Sequence, residues 1–117
     1  MSEEGVKLDS DKPRIGEFLD DFELVIEPLT RIWEFGATTY GISNWKSVEN
    51  GEKRFTNALF RHYFKEKYAY YDDETGVSHA AHVAFNALMR LWFIMQKPKS
   101  DILDKCSCGE TDGDTKC

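Results

Sequence analysis

Apolar positions recur at helical spacing along most of the chain. Ile15, Leu19, Phe22 and Ile26 are separated by 4, 3 and 4 residues, with five acids and no base between residues 15 and 27. Pro28 follows. Proline suits the first turn of a helix and disrupts an interior, so a new or kinked helix is expected to begin there. Leu29, Ile32, Trp33, Gly36, Ala37 and Tyr40 then form a stripe at i, i+3, i+4, i+7, i+8 and i+11, with Gly41 as its stop. Residues 41–51 read as a loop. The next helix is expected from about Glu52 to Tyr68, burying Phe55, Leu59, Phe60, Tyr63, Phe64 and Tyr68. A turn, YYDDETG, leads into a last helix from about Ser78 to Gln96 that is apolar almost all the way round. No segment reads convincingly as a strand. The pattern is all-α, a bundle of three to four main helices.

The flanks differ from this middle. Residues 1–14 form a polar arm, and from Lys97 onward Gly, Ser, Thr, Asp and Lys dominate. Residues 1–96 are therefore expected to be one helical domain and 97–117 a flexible, disordered polar tail. With so little polar coverage on its last helix, the bundle is also expected to self-associate as a homodimer or homotetramer.

Composition narrows the function classes. An apolar fraction of 41% is enough for a core, which excludes a disordered chain. A net charge of −6 argues against coating a nucleic acid polymer, which needs a basic face. A small anionic ligand stays compatible if a metal ion reverses the local field. The polar, acidic start MSEEGVKLDSDK is no signal peptide, and no apolar run approaches the ~18 residues of a membrane span. The cysteines, Cys106, Cys108 and Cys117, all lie in the tail, as expected of reduced thiols rather than a disulfide framework. These features together point to the cytoplasm.

The chemistry lies in the polar positions. His79, His82, Asn86 and Arg90 follow one another at spacings of 3, 4 and 4, on one face of the last helix. Such a face is either a solvent side, a set of hydrogen-bonded core groups, or the wall of a cleft. Lys and Glu, the usual solvent-face residues, are missing from it. Just upstream, Asp72, Asp73 and Glu74 crowd three carboxylates before a helix start. They either complement the helix dipole or supply oxygen ligands for Mg²⁺ or Mn²⁺. Asp20, Glu23, Glu27 and Glu34 would share a face if their helix were continuous, as a solvated acidic surface or as further ligands. Arg54 and Arg61 share a face with Asn57 and Lys65, suited to salt bridges or to a polyphosphate.

In order and spacing these residues resemble the N-terminal domain of the phage-associated dATP/dGTP diphosphohydrolases, related to MazG-like, all-α nucleotide pyrophosphohydrolases. Lys7, Asp9, Lys12, Pro13 and Arg14 fit its opening block. Phe35, Gly36, Ala37, Tyr40, Gly41, Asn44 and Trp45 fit the second, and Arg54, Phe55, Ala58, Arg61 and His62 the third. Asp72, Glu74, Gly76, His79, His82, Asn86 and Ala87 fit the last, so the likeness covers roughly residues 7–90. Two positions depart from it. Thr39 stands where the family has lysine, and Ala69-Tyr70 where a Gly-Glu pair usually precedes the acidic turn; Glu66 sits a turn too early to replace that glutamate.

The resemblance implies a MazG-like bundle that hydrolyses purine deoxynucleoside triphosphates to monophosphate and pyrophosphate, within the host cytoplasm if phage-encoded. It implies Asp72 and Glu74, with Glu27 or Glu34, as ligands of Mg²⁺ or Mn²⁺. Such an ion would neutralise phosphate charge and acidify the attacking water. His79 and His82 would be ligands or general base, and Lys12, Arg14, Arg54 and Arg61 phosphate contacts. Asn44, Trp45 and Asn86 would face the nucleotide, Trp45 by stacking on the base or as a packed core residue. The competing expectations are a nucleotide-binding protein with weakened catalysis, and an interaction protein whose polar stripe is a subunit interface.

Overall fold

A computed structural model of the protein describes residues 5–98. Four helices follow in order: α1 (Ile15–Asp21), α2 (Glu23–Tyr40), α3 (Gly51–Lys65) and α4 (His79–Met95), with a 3₁₀ turn at Asn44–Ser47. The fold is all-α. Among the described residues, β structure is limited to one isolated bridge between Tyr71 and Ser78. No described helix is long and apolar enough to cross a membrane. Apart from Lys97 and Pro98 the expected tail, with its three cysteines, lies outside the described residues.

The first break falls at Phe22, not at Pro28 as the sequence suggests. Phe22 adopts φ −110° and ψ 25°, and Pro28 is the sixth residue of an unbroken α2. Backbone bonding of α2 begins with Val25 and Ile26 donating to the Phe22 carbonyl. Pro28 so near the helix start forfeits one bond, that to the Leu24 carbonyl. Leu24 is 87% exposed, so water can satisfy the carbonyl left over. Gly41 ends α2 at φ 107°, donating its N–H to the Ala37 carbonyl.

Most of the packing is α3 against α4, with α2 crossing α4. The face of α3 that meets α4 is the strip Gly51, Phe55, Ala58 and His62, at spacings of 4, 3 and 4. This corrects the expected buried face. Phe60, Tyr63, Phe64 and Tyr68 are all at least half exposed: Phe60 and Phe64 stand two positions past Ala58 and His62, roughly 200° around the helix, and Tyr68 lies beyond the end of α3. At Gly51 the Phe93 ring of α4 lies directly against the backbone of α3. Any side chain there would displace that ring.

The apolar core is small. Ile32 of α2, Val77 of the turn and Ala81 of α4 are buried together, with Leu29 and Phe85 packed on them. Large apolar groups remain at the surface on every helix, among them Phe18, Leu24, Phe64, Leu88, Leu91 and Met95.

Candidate functional site

The turn between α3 and α4 is built to hold one carboxylate. Asp72 N–H donates to the Val77 carbonyl, Gly76 N–H to the Asp72 carbonyl, and His79 N–H to the Tyr70 carbonyl. Gly76 makes the required left-handed residue at φ 76°. Ser78 caps α4, its hydroxyl accepting from Ala81 N–H at 3.1 Å. Within this frame Asp72 Oδ2 accepts from Thr75 N–H at 2.9 Å and from the Thr75 hydroxyl at 3.0 Å. The Thr75 hydroxyl lies 2.7 Å from His82 Nε2, and since its own hydrogen is given to the Asp72 carboxylate, it accepts from that nitrogen.

The polar stripe of α4 faces inward. His79, His82 and Asn86 are 3%, 7% and 6% exposed, which excludes a solvent face. Nδ1 of His79 is 2.8 Å from Nδ1 of His62 on α3. The His62 and His82 rings stack with centroids 4.2 Å apart and planes within 9°. Asn86 donates to the His82 carbonyl, and Arg90 Nε donates to the Thr56 hydroxyl across the helix pair. His62, Asp72 and His82 each present a ligand atom within 4.8 Å of the others, the one such group among the described residues. Two imidazoles and a carboxylate, largely removed from solvent, are a donor set that fits a divalent cation.

Burial keeps His62 and His82 neutral. Burial, and then the nearby His82, push the His62 pKa down to about 4, against the opposing pull of Asp72. Burial likewise lowers the His82 pKa despite Asp72 beside it, so their 3.8 Å approach is not an ion pair at neutral pH. For Asp72, burial works against ionisation, but the two Thr75 hydrogen bonds and the histidines outweigh it and hold the pKa below its usual value.

This group forms one end of a cavity of about 530 Å³ enclosed by α2, α3, α4 and the 3₁₀ turn. Three kinds of residue line the cavity. Ligand-type residues His62, Asp72, Glu74 and His82 occupy one end. Arg54 and Arg61 lie along α3, and among the described residues neither is salt-bridged. Trp33, Phe35, Tyr40, Trp45 and Phe55 give it an aromatic lining as well.

Most residues singled out in the sequence converge here. Asn44, Trp45, Arg54, Arg61, Asp72, Glu74, His82 and Asn86 all line the cavity. His79 does not, standing behind His62 instead. Trp45 also packs edge-on against Trp92, Phe93 and Phe55 at 5.1, 6.0 and 6.4 Å, so it is a structural residue as well as a lining one. Four residues lie away from the cavity lining. Arg14 pairs with Glu17, Glu27 pairs with Arg31 at 2.9 Å, and Lys12 and Glu34 are exposed. His62 and Thr75 are the members that sequence reasoning left out of the site. His62 carried a signal, since it shares the inward strip of α3 with Phe55 and Ala58; Thr75 carried none beyond its place in the acidic turn.

Residues 2–102 match the family model for the dATP/dGTP diphosphohydrolase N-terminal domain. The chain belongs to that family. A curated relative, the dATP/dGTP diphosphohydrolase of Salmonella phage PMBT28, is 33% identical over 98 residues. That alignment covers 83% of this chain and 32% of the relative, so the chain spans about a third of the length of the curated protein it matches. No solved structure matches. Within the family domain, the cavity and its ligand-rich end are formed by the third and fourth motif blocks, with the second supplying the aromatic side.

Proposed function

We propose that this chain is a metal-dependent hydrolase of purine deoxynucleoside triphosphates, dATP or dGTP, releasing monophosphate and pyrophosphate. The observation that carries this reading is the meeting of three kinds of group in one cavity: aromatic rings, two arginines without a salt bridge among the described residues, and the ligand-type residues. A nucleoside triphosphate presents the matching three chemistries. A base stacks on aromatic rings, phosphates take arginine, and the reacting phosphate needs positive charge and a water. The name of the phage relative supports the substrate class.

In this reading His62, Asp72 and His82 hold the metal, and Glu74 lies beside them at the cavity wall. A divalent cation there supplies charge against the phosphates and makes a nearby water more acidic. The chain's own residues do the rest. Arg54 and Arg61 orient the phosphates, the aromatic side excludes water around the base, and Glu74 is the carboxylate free to take a proton. Glu27 and Glu34 would join the site only from a second copy, because in their own chain they stand outside it. The exposed apolar groups on every helix support such self-association, as a dimer or tetramer.

The test is incubation with each nucleoside triphosphate and a series of divalent cations, reading pyrophosphate and monophosphate. Release from dATP or dGTP well above that from pyrimidine nucleotides is expected. Binding without release with any cation would favour a nucleotide-binding protein, and the absence of binding would end the reading. Light scattering that reports a monomer at tens of micromolar would overturn the self-association.

A further inference from the structure

We propose that His62, Asp72 and His82 form a site for a first-row transition-metal dication rather than for Mg²⁺, with His79 as the residue that positions His62. The use of this site in hydrolysis rests on the function proposed above; its existence rests on the donors themselves. Mg²⁺ seeks six oxygen ligands and sheds water reluctantly, and this site offers it a single carboxylate among three donors. Imidazole suits Fe²⁺, Co²⁺, Zn²⁺ and their neighbours, and two imidazoles with one carboxylate leave positions open for water or substrate.

The surroundings match the donor set. A ligating histidine donates its second ring N–H to a fixed acceptor, which sets the tautomer. His62 Nδ1 is engaged with His79 Nδ1 at 2.8 Å, so Nε2 is the nitrogen it has left to offer. A bond between two ring nitrogens needs one hydrogen. Placing it on His62 Nδ1 frees the His62 Nε2 lone pair and puts the proton of His79 on its own Nε2. Asp72 is held by Thr75 N–H and the Thr75 hydroxyl, while the parallel stack of His62 on His82 opens by ring rotation for both lone pairs to point at one ion. Donors on a tetrahedral ion with bonds of about 2.0–2.1 Å sit roughly 3.3–3.4 Å apart. The present separations, 3.8 Å from His82 Nε2 to Asp72 Oδ2 and at most 4.8 Å within the group, close to that by side-chain rotation, with the proton that His82 Nε2 now donates to Thr75 passing to Nδ1.

The decisive experiment is titration of the chelator-treated full chain with Co²⁺, followed by its visible absorption and by calorimetry, with and without excess Mg²⁺. One equivalent of Co²⁺ should bind with a visible band. A hundredfold excess of Mg²⁺ should fail to displace it, and Mn²⁺ should bind more weakly than Co²⁺. His82→Ala and Asp72→Asn should abolish the band, while His79→Ala should weaken binding 10–100-fold and keep it. If a variant fails to fold, nitrogen hyperfine coupling from two imidazoles in the wild-type Mn²⁺ or Cu²⁺ spectrum answers the same question. Equal competition by Mg²⁺, or a spectrum with no imidazole nitrogen, overturns the proposal. Binding without turnover of any nucleotide refutes the hydrolase instead, and Mg²⁺-driven turnover without Co²⁺ binding refutes only this metal site.

Discussion

Nδ1 of His62 and Nδ1 of His79 meet at 2.8 Å, joining the inner face of α3 to the first turn of α4. One hydrogen bond thus spans 17 residues and orients the His62 ring against α4. Because His62 is held with its pKa pushed down to about 4, the unfolded chain takes up its proton first as the pH falls. Stability is therefore expected to be full above about pH 6.5 and to decline progressively toward pH 4, with the lowered His82 acting in the same direction. Asp72, whose folded pKa lies below its usual value, adds a further loss at still lower pH. Thermal unfolding across this range checks the sign, and a flat profile between pH 6.5 and 4 would contradict it.

Asp72→Asn should cut turnover at least a hundredfold. Sequence crowding of three carboxylates suggests that the substitution relieves repulsion and stabilises the fold. The structure points the other way, since Asp72 Oδ2 accepts two hydrogen bonds from Thr75 while Asp73 and Glu74 are exposed. A loss of about 1–2 kcal/mol is expected from weakening these charge-assisted bonds. Measuring turnover and melting temperature on the same variant separates the two effects.

Arg54→Ala and Arg61→Ala should leave stability nearly unchanged, as neither side chain is salt-bridged and both residues are exposed at the cavity wall. Losing a hydrogen bond to a charged phosphate is worth about 1.5–3 kcal/mol, so nucleotide affinity should fall by roughly 10–150-fold. Calorimetric titration with a non-hydrolysable triphosphate measures this directly. Unchanged affinity in both variants would remove the arginines from the site.

Gly51→Ala should destabilise by about 1–3 kcal/mol, the usual range for overpacking. The added methyl meets the Phe93 ring, whose other side is held by Phe55 and Trp45 at 5.8 and 6.0 Å. Denaturant unfolding reads the loss, and Phe93→Leu in the same chain should recover part of it.

Trp45 distinguishes packing from stacking on a ligand. Its contacts with Trp92, Phe93 and Phe55 make Trp45→Ala destabilising by about 3 kcal/mol, the low end for a large aromatic because the ring is only half-buried. Trp45→Phe should keep most of the stability and lose base affinity if the ring also stacks on the nucleotide. A Trp45→Ala variant of wild-type stability would show that the aromatic cluster does not support the fold.

The sequence by itself determined the helical class, the order of the helices and which residues share the polar face of α4. Helical periodicity is a local property, so it aligns His79, His82 and Asn86 on one face, but whether that face meets water or the interior was left to the packing. Gly41 as a helix stop and Ser78 as a helix start were legible for the same reason, being fixed by backbone geometry at one residue. The face of α3 was not, because Phe60 and Phe64 outrank Gly51, Ala58 and His62 in hydrophobicity, yet the Phe93 ring needs the space that only glycine leaves at position 51, and the strip on that side is the one that packs inward. The break at Phe22 escaped too, since a proline six residues into a helix loses only one bond and water can satisfy the carbonyl it frees. Tertiary structure alone decided which groups meet: it set His62 beside Asp72 and His82, moved His79 behind them, and left Glu27 and Glu34 outside. Residues 62, 72 and 82 lie on a helix, a turn and another helix, and only the packing of α3 on α4 brings three such separate positions within ligand distance.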